Sequence, residues 1–158
     1  MLKKLVFIAL VSSIFAGCAS VPMESEEVSE KAKSFNPPTN GNSGLYLYRK
    51  LGMGTALKKD IYVDNKCIGE SAPDVFFYEE VKGNEEHKIS TESEFSPNDL
   101  LLKTETGKNY FIKQYIRPGA FVGGAAVELI EEEEGQKDVS DSKMAKKGTC
   151  DKKNSNHL

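Results

Sequence analysis

Cys67 and His87 are the two residues of this chain whose types and spacing could do chemistry together. A hairpin and the strand after it could bring a thiolate nucleophile and a general base into contact, as in a Cys/His hydrolase. The structural alternative is a small buried cysteine and a histidine that opens a strand at a turn. His157 stands alone, and neither Gly-x-Ser-x-Gly nor His-Glu-x-x-His occurs. We therefore predict no catalytic residues, no metal site and no cofactor, with a Cys/His hydrolase or an enzyme accessory as the alternative.

The first residues have the features of an export signal. Lys3 and Lys4 precede an uncharged apolar run over residues 5–15. That run is far shorter than the ~20 residues that a membrane-spanning helix needs. Its basic start, its length and the small residues at its end are typical of a secretory signal peptide, and residues 1–17 are predicted to be one.

Cys18 follows Ala16 and Gly17, and this arrangement resembles the lipobox of bacterial lipoproteins. The resemblance implies cleavage between Gly17 and Cys18 and acylation of Cys18, so that the lipid holds the protein on a membrane. Two or more acyl chains anchor a protein stably, whereas one chain binds reversibly. Ala19 stands where an Asp would retain such a lipoprotein on the inner membrane. The resemblance thus implies an outer-membrane, lipid-anchored protein that faces the periplasm.

The other two cysteines leave two alternatives open. In an oxidising compartment Cys67 and Cys150 are an even pair once Cys18 carries lipid, and they could form a disulfide. Alternatively Cys67 is a buried thiol and Cys150 is unpaired, because Cys150 lies in a polar segment with no visible reason to pack.

The charge balance excludes one class of partner. The chain has 21 basic and 24 acidic residues, two of the lysines lie in residues 1–17, and the remainder therefore has a net charge of 19 − 24 = −5. A mildly acidic protein lacks the basic footprint of nucleic-acid binding. The composition also predicts no basic face for anionic lipid head groups, so the acyl chains alone would hold the membrane.

Seven short runs rich in aromatic and β-branched residues predict the fold. Turn residues separate them at the spacing of a sandwich or barrel, and no helical periodicity occurs between residues 44 and 130. The prediction is an all-β domain over 44–130, a small antiparallel β-sandwich of about seven strands. The runs are GLYLYR (44–49), KKDIYVDNKCIGE (58–70), VFFYEEV (75–81), HKISTESEF (87–95), DLLLKTE (99–105), NYFIKQYI (109–116) and GAAVELI (124–130).

Two runs carry finer detail. Residues 109–116 place apolar side chains on both faces, which indicates a central strand. Within 58–70, Asp64 and Asn65 predict a tight hairpin turn, because both residue types tolerate left-handed backbone angles.

The segments on either side of the domain are polar. Residues 18–43 are rich in Ser, Glu, Pro and Asn and predict a lipidated flexible tether. Residues 131–158 predict a largely disordered tail, with a short helix over part of 131–145 as the alternative. The acidic run Glu131–Glu134 could bind a metal or a basic partner, but a solvated face is the simpler interpretation.

Several stretches together resemble a family of proteobacterial lipoproteins classified only as a domain of unknown function. They are CASVPM, GLYLYR, DIYVDNKCIGE, FFYEEV, STESEFSPNDL and GKNYFIKQYI, in this order over most of residues 18–134. Through its V-D-x-K-x-x-G-E hairpin the domain is similar to the PEGA and transthyretin-like β-sandwiches. The turn before His87 is longer than the family's usual form. The resemblance implies a fold and a location, and no activity.

A binding role is the function that these features favour. Loops 50–60 and 93–100 place charges beside apolar residues, and the glycine-rich tip 118–124 could contact lipid or protein. We expect a non-enzymatic envelope lipoprotein that binds or scaffolds another envelope protein or the cell wall. A surface-exposed lipoprotein that affects phage or host interaction is a further alternative.

Overall fold

The computed structural model describes residues 20–92, 98–118, 123–148, 150 and 151, and places two β-sheets face to face. The five-stranded sheet has the order β8-β7-β1-β4-β9. Its strands are β1 (Asn42–Arg49), β4 (Val75–Lys82), β7 (Asn109–Arg117), β8 (Gly124–Ile130) and β9 (Lys143–Met144). The four-stranded sheet has the order β3-β2-β5-β6, with β2 (Lys59–Val63), β3 (Lys66–Ser71), β5 (Glu86–Thr91) and β6 (Leu100–Lys103).

The prediction of an all-β sandwich is confirmed, with two differences. The described residues form nine strands rather than about seven, because the run 58–70 splits into β2 and β3 and because β9 lies beyond the predicted domain. The five-stranded sheet is mixed rather than antiparallel, since β1 pairs in parallel with β7 and β4 in parallel with β9. The second sheet is antiparallel throughout.

The period of two along the strands builds the core between the sheets. Leu45 and Leu47 of β1 point inward, and the intervening Tyr46 points to the opposite face of the same sheet. The buried members of this inter-sheet core come from both sheets and are Leu45, Leu47, Ile61, Val63, Ile68, Ala72, Val75, Phe77, Ile89, Leu102, Ile112 and Ala145.

Two local predictions from the strands are confirmed. β7 lies between β8 and β1 and buries Phe111 on one face and Ile112 on the other, as expected of a central strand. Asp64 and Asn65 form the β2–β3 turn with φ of 50° and 64°, in the left-handed region that such turns require.

Residues 18–43, predicted to be a flexible tether, are structured from Val21 onward. Helix α1 (Glu26–Ala32) begins at Ser25, whose side chain accepts a hydrogen bond from the Val28 N–H at 3.3 Å. Phe35 packs its ring against Tyr46 at a centroid distance of 5.3 Å. The few apolar residues of this segment are enough to order it, because they meet an aromatic face that β1 and β7 leave uncovered.

The segment 131–158, predicted to be largely disordered, is also structured where it is described. Helix α2 (Glu132–Ser140) realises the helical alternative, and its acidic first turn complements the helix dipole. Gly135 allows close packing on Phe111, since a Cβ there would lie 2.3 Å from the Phe111 Cβ. Val139 and Met144 complete the contact. The acidic run is thus the start of a packed helix, and residues 152–158 lie outside the described residues.

Candidate functional site

Cys67 and Cys150 form a disulfide in the structure, with their Cα atoms 6.1 Å apart. Of the two alternatives that the sequence left open, this is the first. The disulfide can form because the chain crosses from β9 in the first sheet to the second sheet over residues 145–148, 150 and 151. We call these residues the C-terminal strap. On the way the Gly148 N–H donates to the Ile68 carbonyl at 2.8 Å.

The disulfide corrects the Cys67/His87 hypothesis. A cysteine in a disulfide has no thiolate, so Cys67 cannot act as the nucleophile of a hydrolase in this state. His87 has its own partners: its Nδ1 lies 2.7 Å from Asp64 Oδ2, and its Nε2 lies 2.8 Å from the Lys82 carbonyl oxygen. The buried His87 ties the β2–β3 turn to the β4–β5 turn and is a structural residue.

Both ring nitrogens of His87 face acceptors, so the protonated ring can donate from each. Burial by itself would lower the pKa of His87, but the hydrogen bonds to Asp64 and to the Lys82 carbonyl raise it above the ordinary value. Burial would likewise raise the pKa of Asp64, but the hydrogen bonds from His87 and from the Lys88 N–H lower it. Both pKa shifts favour the charged forms, so the two groups form an ion pair as long as the pH lies below the raised pKa of His87 and above the lowered pKa of Asp64.

Asp60 lies fully buried on the outer face of the second sheet, beneath the strap. Its Oδ2 accepts hydrogen bonds from the Tyr62 hydroxyl at 3.1 Å and from the Asp151 N–H at 2.9 Å. Its Oδ1 has no partner among the described residues. Burial, followed by repulsion from Glu92, raises the pKa of Asp60 to about 6. This carboxyl is therefore held in an unfavourable environment, and the strap closes over it.

Gln114 of β7 connects the two sheets through hydrogen bonds inside the sandwich. Its Oε1 accepts from the Ser71 hydroxyl, and its Nε2 donates to Thr91 Oγ1 at 2.6 Å. The Thr91 hydroxyl in turn donates to the Asp60 carbonyl oxygen at 2.8 Å. Each of these side chains is buried and paired, so this network fixes the relative position of the sheets at the end where the cavity opens.

A cavity of about 230 Å³ opens where β1 and β7 part. Their parallel pairing ends at Tyr48 opposite Lys113, while β7 continues to Arg117. After Arg49 the chain turns away from β7 into a loop. The space between this loop and β7 is the cavity. Its described lining comes from these two stretches only: Arg49, Lys50, Leu51, Gly52, Met53, Lys113, Gln114, Tyr115 and Ile116.

Arg49 is the most unusual residue of the cavity. It occupies the inward position after Leu45 and Leu47 and is only 2 % exposed. Its guanidinium donates to the Leu57 carbonyl at 2.7 Å and to the Gly54 carbonyl, which folds the loop over it. Burial lowers its pKa, yet an arginine keeps its charge in proteins. In the part of the chain that the structure describes, no carboxylate forms an ion pair with this buried cation.

The lining of the cavity combines basic and apolar side chains. Lys113 makes no ion pair with any described residue, whereas Lys50 is paired loosely with Asp138 and Asp141 at 3.8 and 3.5 Å. The described lining includes no Asp or Glu. Leu51 and Met53 at the rim are each 63 % exposed. Such a cavity suits an anionic group that carries an apolar portion.

The remaining predicted sites lie partly or wholly outside the described residues. Gly17 and Cys18 are outside, as are residues 93–97 of the loop 93–100 and residues 119–122 of the tip 118–124. The loop 50–60 is described and supplies the cavity rim. Within the described ranges, no group of three or more His, Cys, Asp or Glu side chains is placed to hold a metal ion. No helix in these ranges is long and apolar enough to span a bilayer.

The sequence interpretation missed Arg49, although a signal was present. In GLYLYR, Leu45, Leu47 and Arg49 alternate onto one face, and Tyr46 and Tyr48 occupy the other. A charged residue that continues the inward face of a buried strand is exceptional and marks a place to look for a site. The cavity itself could not be predicted, because it depends on where β1 and β7 separate.

Comparisons with known proteins agree on a family and name no activity. A family model described as "Protein of unknown function (DUF2846)" matches residues 39–125. A protein of Haemophilus influenzae named "Uncharacterized protein" is 60% identical over 135 residues, which cover 85% of this chain and 80% of that protein. No solved structure matches the chain, so the similarity to PEGA and transthyretin-like domains stays a prediction.

Proposed function

This chain belongs to the DUF2846 family of proteins of unknown function, and for it we propose a non-enzymatic role as a lipid-anchored envelope protein that binds an anionic group of another envelope component. The observation that carries the binding role is the cavity beside Arg49. A buried cation without a carboxylate partner is costly unless a ligand or a network compensates it, and such residues concentrate at functional sites.

The lipid anchor rests on the lipobox-like sequence Ala16-Gly17-Cys18. Acylation at Cys18 would place the protein on a membrane, and the absence of Asp after Cys18 favours the outer membrane. An oxidising compartment outside the cytosol is supported by the Cys67–Cys150 disulfide, because structural disulfides persist where thiols are not kept reduced. The anchor and the disulfide thus support the same location by independent chemistry.

The apolar rim beside the basic lining favours a partner that combines an anion with an apolar neighbour. Carboxylates of cell-wall peptides and of envelope proteins have this chemistry, and the guanidinium and ammonium groups would bind either one. The hydrolase alternative has lost its nucleophile to the disulfide. The alternative of a surface-exposed protein that affects phage or host interaction stays a prediction, which protease treatment of whole cells would test.

The proposal is tested by photocrosslinking in living cells. A photoreactive amino acid replaces Met53 at the cavity rim in the full-length protein, and a second strain carries it at Leu101. Leu101 is a matched control because it is a leucine 62 % exposed on β6 of the other sheet. We expect a discrete adduct from position 53, none from position 101, and loss of the adduct in a Cys18→Ala strain.

Two results decide the outcome. Mass spectrometry of the adduct separates a cell-wall peptide from an envelope protein, and either one supports the proposal. The same adducts from positions 53 and 101, or none from position 53 in correctly acylated protein, would contradict binding at the cavity.

A further inference from the structure

The first described residues of the chain are bound to the strap. The Lys146 N–H donates to the Pro22 carbonyl at 2.8 Å, and the Glu24 N–H donates to the Met144 carbonyl at 2.9 Å. Met23 forms an antiparallel bridge with Ala145 between these two bonds. Val21 packs against the inter-sheet core. The folded domain therefore includes Val21 and the residues after it, and does not start near residue 44.

The covalent distance from the proposed lipid to the fold is short. Two residues, Ala19 and Ser20, separate Cys18 from Val21. A fully extended chain spans at most about 3.3–3.6 Å per residue, so over these three steps the two Cα atoms are no more than roughly 11 Å apart. The polar headgroup region on each side of a bilayer is roughly 5–8 Å thick. An acylated Cys18 would therefore hold the surface around Val21 at or within the headgroups.

That surface is basic. Lys146 and Lys147 lie on the strap, and Lys66 begins β3 beside it. Lys66 and Lys147 share one carboxylate, Glu79, at 2.7 and 2.6 Å, and their side chains are still 68 % and 44 % exposed. Lys146 is exposed and has no ion pair with a described residue. The nearby carboxylates are those of Glu79 and of Glu24, whose N–H donates to the Met144 carbonyl. Three ammonium groups against these two carboxylates leave a surplus of one positive charge beside Val21.

From these observations we propose that the surface formed by Val21, residues 145–148 and Lys66 faces the membrane and contacts anionic lipid headgroups. This inference rests on the acylation of Cys18 proposed above. Lysines close to a leaflet are attracted to its anionic lipids, and the attraction falls off within a Debye length. The short linkage keeps these lysines inside that range. The sequence-based expectation that lipid alone makes the membrane contact is replaced by a contact of lipid and protein.

The strand order determines which part of the domain lies far from the membrane. β3 is next to the membrane-facing surface, and β6 is at the opposite edge of the same sheet, three strand spacings or about 14 Å away. Leu101 on β6 is therefore a distance control for Lys146.

The test measures quenching depth in vesicles. Full-length acylated protein carries a fluorescent amino acid with a positively charged side chain at Lys146, which keeps the charge there, or, in the control, at Leu101. It is reconstituted into phosphatidylethanolamine–phosphatidylglycerol vesicles that contain a headgroup-nitroxide lipid. We expect quenching at position 146 to exceed quenching at position 101 several-fold. Equal quenching at the two positions in acylated, disulfide-bonded protein would overturn the inference.

A variant with a longer linker tests whether the charge of the lysines contributes to the membrane contact independently of the short linkage. A long Gly/Ser insertion between Ser20 and Val21 releases the domain, and quenching at position 146 should then depend on lipid charge. We expect it to persist with phosphatidylglycerol and to fall to the level of position 101 with phosphatidylcholine alone. Quenching indifferent to lipid charge would overturn the headgroup contact.

Mass spectrometry of the N-terminal peptide keeps the two proposals apart. An unmodified Cys18 would contradict the lipid anchor and with it the proposed function. An acylated Cys18 with equal quenching at both positions would contradict only the membrane-facing surface.

Discussion

Two places in the first sheet, the outer edge of β4 and the seam between β1 and β7, differ in whether the chain covers them. Along the edge of β4, β9 and the strap continue the sheet, and the disulfide ties the strap to β3. Along the seam between β1 and β7 the strands part after Tyr48, and the gap stays open as the cavity. One edge is closed by the covalent chain, and the other stays open.

The two places also differ in how they treat charge. At the closed edge Glu79 is almost buried and is paired with two lysines, whose hydrogen bonds and charges lower its pKa although burial alone would raise it. At the open seam Arg49 is more deeply buried and has only carbonyl partners among the described residues. This difference agrees with a stabilising role for the closed edge and with the binding role that we propose for the open seam. Mutations at the two places should separate these roles.

The largest expected effect is on the closed edge. The double variant Cys67→Ser and Cys150→Ser removes a crosslink between residues 83 apart in sequence. Because the crosslink restricts the unfolded chain, we expect the free energy of unfolding to fall by about 3–5 kcal/mol in urea titrations. Wild-type protein unfolded with a reductant should show the same loss. A loss below about 1 kcal/mol in both would mean that the strap holds without its disulfide.

The second prediction concerns the His87–Asp64 pair in the second sheet. His87→Gln removes the positive charge and the two-sided donor that joins Asp64 to the Lys82 carbonyl, and we expect a loss of about 1–3 kcal/mol at pH 6. The raised pKa of His87 means that its contribution is complete below the unfolded pKa of about 6.5 and is lost as the pH rises through the folded pKa. The difference between wild type and variant should therefore shrink above neutral pH.

A loss of stability at acidic pH should have a different cause, the protonation of Asp64. The pKa of Asp64 is lowered in the folded state, so the contribution of its carboxylate is lost as the pH falls below about 4. Unfolding measured from pH 3 to pH 9 checks both limits. If the free energies of unfolding of wild type and His87→Gln differ by the same amount over this whole range, the ion pair is contradicted.

The third prediction is a gain of stability rather than a loss, and it concerns Asp60. The folded pKa of Asp60, about 6, lies above its unfolded value of about 3.9, so this carboxyl reduces stability progressively as the pH rises from about 4 through 6. Asp60→Asn removes the ionisation and keeps an acceptor for Tyr62. We expect a gain of about 1–2 kcal/mol at pH 7 and little change at pH 4. Destabilisation at both pH values would show that the carboxylate itself is required beneath the strap.

Sequence patterns predicted the two sheets well because burial on a sheet leaves a period of two that each strand carries by itself. The β2–β3 turn was predictable for the same local reason, since Asp64 and Asn65 specify the backbone of the turn. Helix α1, the strap and the disulfide were not predicted as a unit. Their few apolar residues, such as Phe35 and Val139, gain stability only against the aromatic face of a sheet formed elsewhere in the chain.

The site was predictable only in part. The sequence indicated the loop 50–60 as a binding segment, and this loop forms the cavity rim. The role of Arg49 could have been inferred from its inward position, whereas the cavity requires the separation of β1 from β7. The Cys67/His87 hypothesis failed because both residues had closer partners, Cys150 and Asp64, that proximity in sequence does not reveal.

The smallest expected effect on stability is that of a mutation at the open seam. The same mutation should have a large effect on ligand binding. Lys113→Glu changes a partly exposed side chain that has no ion pair within the described residues but lies opposite Glu128 of β8, so we expect the free energy of unfolding to fall by no more than about 1 kcal/mol. The crosslink from Met53 should nevertheless disappear, because an added carboxylate repels an anionic ligand in the cavity. Lys103→Glu, an exposed lysine on β6, is the matched control and should keep the crosslink. Persistence of the crosslink in the Lys113 variant would mean that charge at the seam does not select the ligand, and the contrast between the two places would then be one of packing alone.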